Sequence, residues 1–163
     1  MKIASLSKAD WNPRIYLDLD GVVADLRNAI ETRTGQLLES VSKRTILQVI
    51  LETPNFWGRL KKTNDCDVLW EYLKSHKPTI LTGKVSADPL CETGKRLWVF
   101  ENLGTEDVIV TKGVLKHTFG KPGDILIDDT ERNIRLWREM GGIGILHTSA
   151  AETIIELKKI GVR

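Results

Sequence analysis

The sequence has few of the residues that stabilise disulfide-rich domains or zinc modules. It contains only two cysteines, Cys66 and Cys91, which form no C-x-x-C pair, and its three histidines lack zinc-ligand spacing. No apolar run approaches the ~20 residues that cross a bilayer, and residues 1–10 lack the apolar stretch of a signal peptide. We therefore expect a cytoplasmic protein with reduced thiols and no membrane contact.

A strong net charge is also absent. The formal charge is +2, from 24 Lys and Arg residues against 22 Asp and Glu residues. A protein that binds a polynucleotide usually presents a basic stripe, so nucleic acid is not an expected partner. The 163 residues are 41% hydrophobic and 28% charged. This composition is typical of one globular domain that buries a hydrophobic core and needs no disulfide or structural metal.

Short apolar runs alternate with longer segments of helical periodicity. The runs are nearly continuous in apolar residues, as in strands buried on both faces of a parallel sheet. They comprise residues 14–18, 78–81, 107–111, 124–128 and 142–147. The helical segments comprise residues 64–75, 86–102, 129–140 and a last helix that opens at residue 149. This alternation predicts an α/β fold with a doubly wound parallel sheet, whose ligands bind at the carboxyl ends of the strands.

One interval is too long for a single crossover helix. More than fifty residues separate Gly21 from the second predicted strand. Residues 40–52 have helical periodicity, and T-P-N-F-W-G-R-L follows at residues 53–60. We expect residues 27–62 to form a small helical cap inserted after the first strand, over a core made of residues 1–26 and 63–163.

Acidic residues end two of the predicted strands. Asp18 and Asp20 close the first strand, and residues two apart in an extended chain project to the same side. Asp128 and Asp129 close the fourth strand, so all four carboxylates are expected at one edge of the sheet. Carboxylates held that close repel each other, which indicates a cation between them.

This set of residues favours metal-assisted phosphoryl transfer. Carboxylate oxygens suit Mg²⁺ where a phosphate supplies further oxygens. Asp18 is a candidate nucleophile on phosphorus, and Asp20 a candidate acid and base. Thr82, at the end of the second strand, is placed to hold phosphate oxygens, and a lysine from the loop before Asp128 is placed to neutralise the transferring group.

Four segments, in this order, resemble the four motifs of the haloacid dehalogenase (HAD) superfamily. They are D-L-D-G-V-V-A-D, I-L-T-G, a lysine-bearing loop and I-L-I-D-D. Two more, P-N-F-W-G-R-L and R-L-W-V-F-E-N-L-G, make the chain similar to the 5'(3')-deoxyribonucleotidases within it. The resemblance implies a Mg²⁺-dependent phosphomonoesterase with a Rossmann-like core and a helical cap, acting on a nucleoside monophosphate.

The resemblance also implies roles for single residues. Asp18 is the nucleophile and Asp20 the acid and base. The implied metal ligands are Asp18, the backbone carbonyl of Asp20, and Asp129, with Asp128 close by. Thr82 and Gly83 match the phosphate-binding turn, and Phe56 and Trp57 match positions that line the nucleoside pocket. Among the loop lysines, Lys116 fits the spacing best and Lys121 comes second, with Lys112 also in the loop.

Other hypotheses remain open at this point. The same chemistry serves a sugar phosphate or the end of a nucleic acid, since the cap is shorter than in the animal deoxyribonucleotidases. A phosphate-binding regulatory module without turnover is a different class of protein, although the intact pair of Asp18 and Asp20 argues against it. A homodimer is also open, because the sequence does not determine the oligomeric state.

Overall fold

A computed structural model describes residues 11–163 of the chain. The segment in which no signal peptide is expected, residues 1–10, lies outside the described residues. Five parallel strands form one sheet in the order β3-β2-β1-β4-β5. The strands are β1 (Ile15–Leu17), β2 (Thr79–Gly83), β3 (Val108–Thr111), β4 (Ile125–Asp128) and β5 (Ile143–Leu146). The predicted α/β fold with a doubly wound parallel sheet is confirmed.

Helices connect the strands at most crossovers. They are α1 (Leu26–Thr34), α2 (Lys43–Glu52), α3 (Cys66–Leu73), α4 (Cys91–Leu103), α5 (Glu131–Glu139) and α6 (Ala150–Lys159). Between β3 and β4 the connection is a 3-10 helix, Gly113–Thr118. None of the helices in residues 11–163 is long and apolar enough to cross a membrane.

The central strands are buried because helices cover both faces of the sheet. Every residue of β1 and β4 is buried, which explains why their sequences show no alternation of polar and apolar residues. Two indole rings fill the space between sheet and helices, Trp98 of α4 and Trp137 of α5, both fully buried. The two cysteines are free and buried in this core.

The stretch after β1, residues 27–62, contains α1, α2 and two 3-10 turns. It returns to the core beside β1, where the backbone N–H of Asp25 donates to the Lys61 carbonyl at 2.8 Å and that of Thr63 to the Val23 carbonyl at 2.9 Å. Its buried hydrophobic residues, including Ile30 and Ile50, belong to the main core cluster. The stretch therefore packs directly onto the core.

Candidate active site

Asp18 directly follows β1 at the centre of the sheet. Its backbone N–H donates to the Ile127 carbonyl of β4 at 2.9 Å, which fixes the main chain, and its side chain is buried. The oxygen Oδ1 accepts from the Leu19 N–H at 2.8 Å and from the Lys116 ammonium at 2.7 Å. Within residues 11–163 no hydrogen bond reaches Oδ2. One oxygen is thus held while the other is free to react.

Lys116 links Asp18, at the end of the first strand, to Asp128, at the end of the fourth. Its ammonium lies 2.7 Å from Asp18 Oδ1 and 2.7 Å from Asp128 Oδ2, and its side chain is only 3% exposed. Burial lowers the pKa of Lys116, but the two carboxylates outweigh that effect and raise it to about 12. Lys116 is therefore a permanent positive charge beside the candidate nucleophile.

Burial has the opposite consequence for Asp18. The pKa of Asp18 is raised to about 8, chiefly by desolvation; Lys116 acts to lower this pKa, and the charges of Asp128, Asp20 and Asp129 act to raise it. The pKa of Asp129 is also raised, first by desolvation and then by Asp128. A cation among these groups would favour their ionised forms.

Three of the four predicted metal ligands converge through their side chains. Carboxylate oxygens of Asp18, Asp128 and Asp129 all lie within 4.8 Å of one another. Asp128 is completely buried, and its oxygens accept from Lys116, from the Thr130 N–H at 2.8 Å and from the Asn133 amide at 3.0 Å. Asp129 is exposed, and so is free to bind a cation from the open side. This donor set of hard oxygens fits Mg²⁺.

The Asp20 side chain points to a different partner. Its Oδ2 forms an ion pair of 2.5 Å with Lys95 of α4, a lysine that is only 1% exposed. The other oxygen, Oδ1, is buried and accepts no hydrogen bond from residues 11–163. The carboxylate of Asp20 is thus separate from the acidic cluster, and its predicted metal contact through the backbone carbonyl stays a prediction.

Thr82 and Gly83 end β2 beside the same edge. Thr82 is completely buried, and its Oγ1 accepts from the Lys95 ammonium at 3.1 Å, while the Gly83 carbonyl accepts from that ammonium at 2.6 Å. Because the Thr82 hydroxyl acts as an acceptor there, its own hydrogen remains to be donated. The structure therefore leaves a hydroxyl donor at the position predicted to hold phosphate.

Phe56 and Trp57 lie where residues 27–62 meet α4. Both are buried, and their rings meet edge to face with centroids 5.0 Å apart. They line a cavity of about 250 Å³ between the end of α2 and the start of α4, whose lining does not include Asp18 or Asp20. Trp57 is nevertheless linked to the acidic edge, because its ring centroid lies 4.3 Å from the Lys95 ammonium.

The other loop lysine lies apart from the carboxylates. Lys121 is exposed, and its backbone N–H donates to Asp124 Oδ2 at 2.9 Å. No ion pair of Lys121 occurs among the described residues, whereas Lys116 contacts both Asp18 and Asp128. The structure thus brings Lys116 to the site and leaves Lys121 outside it.

Two residues at the site were missed in the sequence. Lys95 lies on the same helical face as the buried Cys91, Trp98 and Val99, and a lysine at such a position is unusual enough to have been noticed. Asn133 donates to Asp128 and is buried, next to Ile134 on α5. Its signal was the same: a polar residue on the inner face of a helix.

Comparison with known proteins gives matches in structure alone. No family model matches the sequence, and no curated protein is significantly similar to it. A hydrolase from Streptococcus pneumoniae TIGR4 has a TM-score of 0.50 at 13% identity, over 90% of this chain and 96% of that one. A haloacid dehalogenase-like hydrolase from Burkholderia xenovorans LB400 has a TM-score of 0.51 at 12% identity, over 93% and 89%. L-2-haloacid dehalogenase from Xanthobacter autotrophicus has a TM-score of 0.50 at 11% identity, over 92% and 84%.

These similarities define the class of the fold, an α/β protein with a parallel sheet flanked by helices. The chain has the fold of these haloacid dehalogenase-type structures, which is the fold that the resemblance of its four motifs implies. Identities of 11–13% establish the fold alone. The closer similarity to the 5'(3')-deoxyribonucleotidases stays a prediction.

Proposed function

We propose that the protein is a Mg²⁺-dependent phosphomonoesterase that forms an aspartyl-phosphate on Asp18. The observation that carries the proposal is the meeting of Asp18 and Lys116, buried and 2.7 Å apart, with the carboxylates of Asp128 and Asp129 at one strand edge. A nucleophile, a fixed positive charge and a set of oxygen ligands are the parts that phosphoryl transfer needs.

The carboxylates of Asp18 and Asp129 would hold the cation, with Asp128 close by and the Asp20 backbone carbonyl as a further ligand. When bound, Mg²⁺ supplies positive charge that offsets the repulsion between these groups and stabilises the phosphoryl oxygens. The donor set is entirely oxygen, and desolvation together with the neighbouring carboxylates raises the pKa of both Asp18 and Asp129, so a cation there would favour their ionised forms.

The reaction proposed for these residues has two steps. Asp20 enters the first step with a proton on Oδ1 while its Oδ2 stays bound to the Lys95 ammonium. Asp18 Oδ2 attacks phosphorus, the bond to the ester oxygen breaks, and that oxygen takes the proton from Asp20. Asp20, now ionised, takes a proton from water, which attacks the phosphoryl group and releases Asp18 and inorganic phosphate. Lys116 and the Thr82 hydroxyl neutralise and orient the phosphoryl oxygens in both steps.

The position of Asp20 favours phosphate esters over halogenated acids as substrates. A halide leaves without a proton, whereas an alkoxide needs one, so an acid beside the nucleophile is useful only for an ester. The acidic cluster would also repel a carboxylate substrate, while a cation bound there attracts a phosphate. We therefore propose ester hydrolysis for this protein rather than the dehalogenase activity named for one structural neighbour.

For the substrate we propose a nucleoside monophosphate, on the resemblance to the 5'(3')-deoxyribonucleotidases. The ring of Trp57 lies 4.3 Å from the Lys95 ammonium, and Lys95 pairs with Asp20, so an aromatic residue of the expected cap lies next to the side chain that holds the candidate acid. A sugar phosphate and a nucleic-acid end are the alternative substrates with the same chemistry. A regulatory module without turnover is the alternative in another class.

The test of the chemistry is the hydrolysis of p-nitrophenyl phosphate. We expect turnover that requires Mg²⁺, stops in chelator and is lost in Asp18→Asn, with ³²P or mass labelling of Asp18 in the wild type. Lys74→Met serves as the control, since the one ion pair of Lys74 within residues 11–163 is with the exposed Glu71. Equal turnover in Asp18→Asn would remove Asp18 as the nucleophile.

The test of the substrate is phosphate release from a panel. It contains deoxynucleoside and ribonucleoside monophosphates with 5' and 3' phosphates, sugar phosphates and phosphorylated oligonucleotides. We expect the highest kcat/KM for a deoxynucleoside monophosphate. A preference for sugar phosphates would overturn the nucleotidase assignment and leave the phosphatase assignment intact, while no release from any ester would favour the regulatory module.

A further inference from the structure

Lys95 is the most deeply buried charged side chain that sequence reasoning did not place in the site. It lies on α4, is 1% exposed, and its ammonium contacts three oxygens. These are Asp20 Oδ2 at 2.5 Å, Thr82 Oγ1 at 3.1 Å and the Gly83 carbonyl at 2.6 Å. The ring of Trp57 covers it, with the centroid 4.3 Å from Nζ.

These contacts use the full donor capacity of the lysine. An ammonium group has three hydrogens and no acceptor, and Lys95 has three oxygen partners, so no hydrogen remains for a substrate. Burial under Trp57 also leaves it little room to turn outward. Any effect of Lys95 on the reaction therefore passes through one of its partners.

Asp20 is the partner through which such an effect would act. Its Oδ2 is held by Lys95, whereas its Oδ1 is buried and has no hydrogen bond among the described residues. With one oxygen fixed, the carboxylate cannot rotate freely, and Oδ1 is the oxygen left to carry a proton. A buried charge costs desolvation, and an apolar side chain would suit the helix face better, which argues against a purely structural role.

We propose that Lys95 is a positioning residue that fixes the Asp20 carboxylate, so that Oδ1 delivers the proton to the leaving oxygen. The inference rests on the proposed phosphatase function. In the productive step the bond between phosphorus and the ester oxygen breaks, and the proton moves from Asp20 Oδ1 to that oxygen. Lys95 keeps all of its protons throughout.

The leaving group provides a test that a structural role would not satisfy. p-Nitrophenolate leaves with little protonation, whereas the alkoxide from glycerol 2-phosphate needs a proton. In Lys95→Met we expect kcat/KM for glycerol 2-phosphate to fall by about 30-fold or more, within the ~10²–10⁴ that general acid catalysis contributes. For p-nitrophenyl phosphate the loss should stay within about threefold, with KM little changed. Equal losses for both esters would overturn the proposal.

A double-mutant cycle separates positioning from direct contact with substrate. If Lys95 acts only through Asp20, Lys95→Met should add almost nothing once Asp20→Asn has removed the acid. Additive losses in the double variant would mean that Lys95 acts through Thr82, Gly83 or the substrate rather than through Asp20, and would overturn the proposal. Lys74→Met, which removes an exposed charge, should match the wild type with both esters.

Two further measurements apply if Lys95→Met does not fold or if the protein hydrolyses no ester. If Lys95→Met does not fold, Lys95→Ala is assayed with added ethylammonium, which should restore glycerol 2-phosphate turnover selectively; no restoration counts against the proposal. A crystal structure of the folded variant should show the Asp20 carboxylate rotated from its wild-type position. An unmoved carboxylate would overturn the positioning role even in a protein that hydrolyses no ester, so the two proposals can fail separately.

Discussion

Lys116 and Asp18 form an ion pair of 2.7 Å in which both side chains are less than a tenth exposed. Burying two charges costs more desolvation free energy than forming an ion pair at the surface. A buried ion pair therefore adds little net stability to the folded protein. The same ammonium also reaches Asp128, at 2.7 Å. A buried lysine shared by two carboxylates therefore indicates a site in which charge is arranged for a reaction rather than for folding.

This arrangement predicts that the two candidate lysines differ sharply on substitution. Lys116→Met should lower kcat for p-nitrophenyl phosphate by about 10²–10³-fold, the cost of losing one donor to a developing anion. Lys121→Met should stay within about twofold, because Lys121 is exposed and makes no ion pair among residues 11–163. Thermal unfolding of both variants shows whether the protein is folded in the assay. The reverse order of activities would make Lys121 the phosphate-binding lysine.

Gly21 yields a prediction with a matched control. Its φ is +81°, and a Cβ atom there would lie 2.1 Å from Asp129 Oδ2. Gly104 has a similar φ of +68°, but no atom of residues 11–163 would lie within 4 Å of a Cβ there. Both alanine variants should lose about 1 kcal/mol of unfolding free energy to backbone strain, yet only Gly21→Ala should displace Asp129 and lose Mg²⁺-dependent turnover, by about tenfold or more. Equal turnover in the two variants would contradict the role of Asp129.

Magnesium should stabilise the folded protein, because it binds carboxylates that come together only on folding. At a concentration of about 100 times the Kd, the gain is about 2.7 kcal/mol. Asp129→Asn removes one carboxylate, so in chelator the variant should melt above the wild type, and added Mg²⁺ should no longer raise its Tm. Differential scanning calorimetry with and without Mg²⁺ measures both effects. A variant that melts lower in chelator would show that Asp129 is stabilising without a cation.

The sequence predicted all five strands to within two residues, because buried parallel strands are nearly continuous apolar runs. The prediction for β2 stopped at Leu81, whereas the strand continues to Gly83, which pairs with Thr111 of β3. Thr82 and Gly83 are in a strand because they pair with β3. A local sequence pattern does not show which strand will lie alongside, so it does not predict this extension.

The helices show the same limit at their ends. The segment predicted to begin at residue 86 becomes helical only at Cys91. Asp88 accounts for the difference, since its carboxylate accepts from the Leu90 N–H at 3.0 Å and from the Trp57 indole at 2.6 Å. One of these contacts is local, but the other comes from a residue 31 positions away.

Residues of the candidate site could be predicted from the sequence where the fold class fixes their position. They could not be predicted where tertiary packing fixes it. Asp18 and Asp128 follow strands whose carboxyl ends must meet, so their proximity follows from the fold class. Lys95 follows from no such rule. A lysine on an apolar helix face usually extends its ammonium to solvent. Only the tertiary placement of α4 brings this ammonium to Asp20, which follows β1, and to Thr82 and Gly83 at the end of β2.

His147 predicts how stability responds to acid. Its Nδ1 lies 2.8 Å from Thr153 Oγ1, and burial lowers its pKa below the usual value, against a smaller raising effect of Asp65. A histidine with a lowered pKa in the folded state contributes stability above its unfolded pKa, of about 6.5. That stability is lost as the pH falls through the lower, folded value. Between about pH 7.5 and pH 5, the wild type should therefore lose more unfolding free energy than His147→Gln, which does not titrate. Urea unfolding at each pH measures the two slopes, and parallel slopes would mean that His147 is equally protonated in the folded and unfolded chains.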